Sequence, residues 1–239
     1  MREVLWIMVS WLTLLAGGMG QPHAATASFV YVAFGASDAT GAGAGSVTEG
    51  YVSLIKQELE TLIPHVILIN RGVSGARVDI VKEEVRRAKE AHNSADLVTI
   101  WVGANDLVHG DDPESFQESL HFILQTLRQH VSRTIVIGNL PNLTRLPRFR
   151  NQPHPHVTEE RIEAYNAAIA EEARGVDAAL VDLFAQRLRD DLVLRSDGFH
   201  PNDAGHREIA ALFLSAIRRK ITVSSSCELI VMPLGRLAA

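Results

Sequence analysis

Residues 29–34 read FVYVAF, an apolar run rich in β-branched and aromatic side chains, and at Gly35 the chain breaks at once into GASDATG, where nearly every residue is small. A continuous apolar run bounded by glycine reads as a strand buried on both faces, which places it inside a parallel sheet. The pattern recurs. Further apolar runs lie at 65–70 (HVILIN), 95–102 (ADLVTIWV), 133–138 (RTIVIG) and 178–183 (AALVDL). Stretches with helical spacing separate them, at 48–62, 79–92, 113–131 and 158–174, and a last helix is expected over 202–220. In 113–131, for example, Phe116, Leu120, Ile123, Leu124 and Leu127 mark one face. Strands that alternate with helices of this length require right-handed crossovers, so the expected class is α/β with a parallel sheet.

A chain of 239 residues suits one domain with a full core, and 21% charged against 46% hydrophobic residues is a globular composition. The net charge of -5 argues against a nucleic-acid partner, which would call for a basic face. Residues 4–18 (VLWIMVSWLTLLAGG) are apolar and uncharged behind Arg2, and Ala25-Thr26-Ala27 fits a small-residue cleavage pattern. Residues 1–27 are therefore read as a secretory signal peptide and the protein as secreted. Glu3 offsets Arg2, so an uncleaved anchor is the alternative, and it would be the chain's membrane contact. The folded domain is assigned to 28–220. Residues 221–239 form a tail of unassigned role that holds the apolar run Leu229-Ile230-Val231-Met232 and the single cysteine, Cys227. With one cysteine there is no intrachain disulfide.

The chemistry lies where the small polar residues fall. The first three strands end in Gly35-Ala36-Ser37, Gly72-Val73-Ser74-Gly75 and Gly103-Ala104-Asn105-Asp106. In a parallel sheet these loops share one edge, outside the carboxyl ends of the strands, where ligands bind. Small residues after a strand usually only turn the chain. Here they bring together a serine hydroxyl, backbone N–H groups unshielded by side chains and an asparagine amide, the parts needed to attack an ester and hold its oxyanion. Other glycine-rich readings fail on spacing. In 41–46 a dinucleotide fingerprint would need glycine where Ser46 stands, and a phosphate loop would need a lysine, but none precedes Lys56. The missing base is supplied by Asp197-Gly198-Phe199-His200-Pro201. A neutral imidazole can take the serine proton while a carboxylate holds its tautomer.

These four motifs, in this order, resemble those of the GDSL/SGNH hydrolase family: Gly35 to Asp38, Asn70 to Gly75, Gly103 to Asp106 and Asp197 to Pro201. Asn139-Leu140-Pro141 resembles a further family segment. The resemblance spans roughly 29–220 and implies a three-layer α/β/α fold with a five-stranded parallel sheet in the flavodoxin-like order 2-1-3-4-5. It implies Ser37 as nucleophile, His200 as base and acid, and Asp197 as its orienter. The backbone N–H groups of Ser37 and Gly75 and the Asn105 side chain would form the oxyanion hole. The family commonly has aspartate before the serine; here Ala36 stands there, and Asp38 is expected to take over some of the lost hydrogen bonding.

The resulting expectation is an exported serine esterase that uses no cofactor and no metal and acts on small-molecule, lipid or carbohydrate esters with small or medium acyl groups. Lysophospholipase, thioesterase and polysaccharide O-deacetylase activities are the alternatives within that chemistry. A non-catalytic binding domain is the alternative outside it. His154 and His156 alternate with prolines that hold the chain extended, so their imidazoles are not expected to share a metal. His109, Asp111 and Asp112 read as a polar loop at a helix start, and His206 as a surface or packing residue within the last helix. The loop 143–157 is long, and long loops are often functional.

Overall fold

The computed structural model describes residues 28–186 and 189–231. The segment read as a signal peptide and the Cys227 side chain lie outside the described residues. The five strands are β1 (Phe29–Gly35), β2 (Val66–Gly72), β3 (Leu97–Trp101), β4 (Ile135–Gly138) and β5 (Ala179–Val181). All pair in parallel, in the order β2-β1-β3-β4-β5 implied by the resemblance. Gly35 lies opposite both Gly72 and Trp101, Trp101 opposite Gly138, and Gly138 opposite Val181. The carboxyl ends of all five strands are therefore level, and the loops that follow them stand side by side.

Alternation along β1 builds a layer on each face. Val32 and Phe34 point into one core with α2 (Val78–Glu90), α4 (Pro113–His130) and α6 (Glu159–Gly175). Tyr31 and Ala33 point into the other with α1 (Tyr51–Glu60) and α7 (Asp203–Val231). Both faces are covered, which is why the strands read as unbroken apolar runs rather than as an alternation. Fully buried side chains such as Phe116, Leu120, Tyr51 and Phe213 anchor the helices, each worth about 1.5–3 kcal/mol of transfer free energy. One polar pair crosses the sheet interior, between the Tyr31 hydroxyl and Thr99 Oγ1 at 2.8 Å.

The structure departs from the sequence expectation in short elements and at ends. It adds α3 (Ala104–His109) and α5 (Pro147–Asn151), each too short to show helical periodicity. The last helix runs past Lys220 to Val231. The stretch at 143–157 is not an open loop. It holds a 3-10 turn (Leu143–Arg145) and α5, and buries Leu143, Leu146, Phe149 and Val157.

Candidate active site

Ser37 lies two residues past β1 and is nearly buried, 6% exposed. Gly35 permits the close strand ends, because a Cβ there would lie 2.7 Å from the Trp101 carbonyl oxygen. The loop then coils around the Ser37 carbonyl, which accepts from Thr40 N (3.1 Å), Ala42 N (3.0 Å) and Thr40 Oγ1 (2.7 Å). Asn70 ties the loop to β2: its Nδ2 donates to Ala39 O at 2.7 Å and its Oδ1 accepts from Gly72 N at 2.9 Å. Thr40 and Asn70 thus brace the loop together with Asp38, whose carbonyl accepts from Gly41 N at 3.1 Å.

His200 meets Ser37 from the far end of the chain. Its Nε2 is 3.0 Å from Ser37 Oγ, and its Nδ1 is 2.7 Å from Asp197 Oδ2. The other Asp197 oxygen accepts from the backbone N–H groups of Phe199 (2.8 Å) and His200 (3.1 Å). A carboxylate facing Nδ1 makes that nitrogen the donor and leaves the Nε2 lone pair for the serine proton. Gly198 closes the turn at φ +61°, with Arg148 N where a side chain would stand. The glycine-rich run at 41–45, which failed as a nucleotide loop, packs against this turn. At Gly43, φ is +94° and a Cβ would overlap the Pro201 carbonyl.

Gly75, at φ +76°, has nothing within 4 Å of where a Cβ would be, so its backbone is open on that side. Ser37, Ser74, Gly75, Asn105 and His200 share the wall of one cavity of about 220 Å³. Asn105 Nδ2 gives one hydrogen to Ala76 O at 2.9 Å, and an amide has a second to offer. The next residue, Asp106, accepts from Val78 N at 2.8 Å. Two consecutive side chains therefore staple the loop after β3 to the loop after β2.

The carboxyls around the site divide by environment. Burial pushes Asp197 up, but the hydrogen bonds from His200, Phe199 and its own turn outweigh that, and its pKa lies below the usual range. Asp38 is raised to about 6, chiefly by burial, with His200 pulling the other way. Asp106 is raised to about 6 by burial, opposed by the Val78 N–H, and its Oδ2 has no partner among the described residues. Asp38 retains an edge on a second, largely apolar cavity of about 90 Å³ behind the nucleophile, walled by Trp101, Leu183, Leu192, Ile209 and Leu212.

His206 is more than the surface or packing residue the sequence suggests. It is fully buried, its Nε2 lies 3.0 Å from Ala42 O and its Nδ1 accepts from Tyr51 N at 3.2 Å. Burial lowers its pKa. The ring is a strut between α7 and the glycine-rich run. A helical histidine whose partners are far away in sequence gives no spacing signal. Asp112 caps α4, accepting from Glu114 N and Ser115 N. Asp111 bonds His109 and Arg77. His154 and His156 have ring centroids 5.6 Å apart, edge to face.

Residues 21–208 match the model of the GDSL-like Lipase/Acylhydrolase family. The chain belongs to that family, and with it to the carboxylic ester hydrolases. No curated protein matches the chain in sequence. Among solved structures it is similar to TesA, with TM-score 0.64 and 19% identity over 80% of this chain and 98% of that one. It is also similar to the psychrotrophic esterase EstA from Pseudoalteromonas sp., with TM-score 0.65 and 17% identity over 81% and 98%. A third is the acetyl xylan esterase AlAXEase, with TM-score 0.62 and 22% identity over 79% and 99%.

Proposed function

We propose that this protein is an exported serine esterase that cleaves carboxylic esters through an acyl-enzyme, with Ser37 as nucleophile, His200 as proton carrier and Asp197 as the group that orients and stabilises His200. The reading rests on one observation above all, the unbroken line Ser37 Oγ, His200 Nε2, His200 Nδ1, Asp197 Oδ2 at 3.0 and 2.7 Å. Ser37 Oγ attacks the ester carbonyl as its proton passes to Nε2. The oxyanion is held by the N–H groups of Ser37 and Gly75 and the free amide hydrogen of Asn105, where a single donor can contribute about 3 kcal/mol. The carbon–oxygen bond to the alcohol then breaks, and His200 hands its proton to the departing oxygen. Water, activated by the same imidazole, attacks the acyl-serine and releases the acid.

The apolar cavity adjoining Asp38 is the natural seat for the acyl group. Its volume of about 90 Å³ is small beside the roughly 300–1,000 Å³ of common ligand pockets, which favours short acyl chains over long ones. The same small size favours, as a second reading, removal of acetyl groups from a polysaccharide, the activity in the name of the structurally similar acetyl xylan esterase. Export follows from the N-terminal signal reading alone.

The test is hydrolysis of p-nitrophenyl esters from acetate to palmitate by the wild type and by Ser37→Ala. We expect a maximum at short chains and a loss of at least about 10⁴-fold in kcat in the variant. Equal activity of the two proteins would remove Ser37 from the mechanism. A maximum at palmitate would remove the cavity as the seat of the acyl group.

A further inference from the structure

Arg148 stands in α5 and lines the same cavity as Ser37, Gly75, Asn105 and His200. Its guanidinium lies over two aromatic rings, 5.7 Å from the Phe149 centroid and 5.8 Å from that of Phe199. Both distances are within cation–π range, which biases this exposed side chain toward the two rings. Its backbone N donates to Gly198 O at 3.1 Å, fixing the residue to the turn that carries Asp197 and His200. The neighbouring Arg150 is paired with Asp190 at 2.6 Å. Among the described residues no carboxylate pairs with Arg148, and apart from His200 the cavity wall holds no other acidic or basic side chain. A planar fork of donors, unpaired and lining the same cavity as Ser37 and His200, matches a carboxylate or phosphate.

The side of the substrate follows from the chemistry. The alcohol oxygen must leave next to His200 to receive its proton. Arg148 shares that cavity with His200, whereas the apolar cavity walled by Trp101 and Leu212 does not include it. We infer that Arg148 is a specificity residue that binds an anionic group on the alcohol half of the ester, so that the preferred substrates are short-chain esters of acidic alcohols. This rests on the esterase reading above.

The experiment compares two chromogenic esters of the same short acid. One releases p-nitrophenol, the other 3-hydroxy-4-nitrobenzoic acid, whose ring carries a carboxylate. The quantity read is the ratio of kcat/KM, acidic over neutral, which cancels general damage to the site. In Arg148→Ala we expect the ratio to fall about tenfold, the size of one charge-assisted hydrogen bond partly open to water. Arg148→Lys, which keeps the charge and loses the fork, should fall in between. In the wild type the ratio should decline as salt rises from low to high ionic strength, and in Arg148→Ala it should not. A second pair, monobutyryl glycerol and monobutyryl glycerol 3-phosphate followed by acid release, distinguishes the anions: the pair with the larger fall names the preferred one. A ratio unchanged from wild type in Arg148→Ala on both pairs, or a wild-type ratio that does not respond to salt, overturns the assignment while leaving the hydrolase reading intact. A wild type inactive on every ester, with Ser37→Ala no different, overturns the hydrolase reading and this assignment with it.

Discussion

Two carboxyls close to the Ser37–His200 pair differ in almost everything but their side chain. Asp197 sits in a tight turn and accepts three hydrogen bonds, from His200 Nδ1 and from two backbone N–H groups. Asp38 follows Ser37 in a loop braced by Thr40 and Asn70, and it lines an apolar cavity. Asp197 is held below the usual carboxylate range, while Asp38 rises to about 6. Burial acts upward on both; the number of donors decides which one stays ionised. One turn is built to keep a charge beside an imidazole, and the other loop is built to hold a hydroxyl.

The comparison can be broken at its strong end first. Asp197→Asn keeps the shape of the turn but presents an amide to His200, so the wrong tautomer becomes available. We expect kcat to fall about 10³–10⁴-fold with little change in thermal midpoint, as measured by ester hydrolysis and calorimetry. An equal loss of stability would mean that the Asp197 bonds serve the turn rather than the imidazole. Next comes the joint between the two regions. Gly43→Ala would drive a methyl group into the Pro201 carbonyl at a positive φ, costing about 2–4 kcal/mol. It should also weaken hydrolysis by displacing His200, and denaturant unfolding beside kinetics would read both. A variant that unfolds normally and hydrolyses normally would show that the two regions are not coupled through this contact.

The smallest effect belongs to Asp38. Its folded pKa, about 6, lies above the unfolded value, so the folded state binds more protons than the unfolded one between about pH 4 and 6. This contribution to stability is therefore full below that window and is lost as pH rises through it. Asp38→Asn removes the ionisation. Because the carboxyl keeps an edge on the cavity, we expect the variant to be only about 1–2 kcal/mol more stable than wild type at pH 7.5, the gain fading toward pH 4. A gain that is constant with pH would show that Asp38 does not titrate in this range.

Much of this arrangement was legible in the sequence because it is local. Apolar runs gave the strands, glycine breaks gave their ends, and Asp197 and His200 sit within one turn, so their pairing needs no long-range knowledge. The break after β1 is local too, and the structure places Ser37 two residues past the strand end, as its pattern suggests. What escaped depends on distant partners or on elements too short for a period. Asn70 braces a loop from another strand, His206 joins α7 to Ala42, and Asp106 bonds the start of α2; none has a neighbour in sequence that betrays the role. Leu146, just before α5, and Phe149 within it are buried, but five helical residues give no periodicity to read. The proline-rich stretch therefore looked like an open loop when it is a docked wall. The expectation placed on Asp38 left out Thr40 and Asn70, whose bonds depend on how the loop coils and on a different strand.

The contacts that assemble the site also set when it can exist. Ser37 meets His200 across 163 residues, Ala42 meets His206 across 164, and Gly45 N meets Asp203 across 158. Contacts of such sequence separation form late, because the loop they close is nearly the whole domain. A chain emerging from the ribosome would carry Ser37 and its loop long before His200, Asp203 and His206 exist to complete that loop. On the mechanism proposed above, hydrolytic competence is thus tied to completion of the fold.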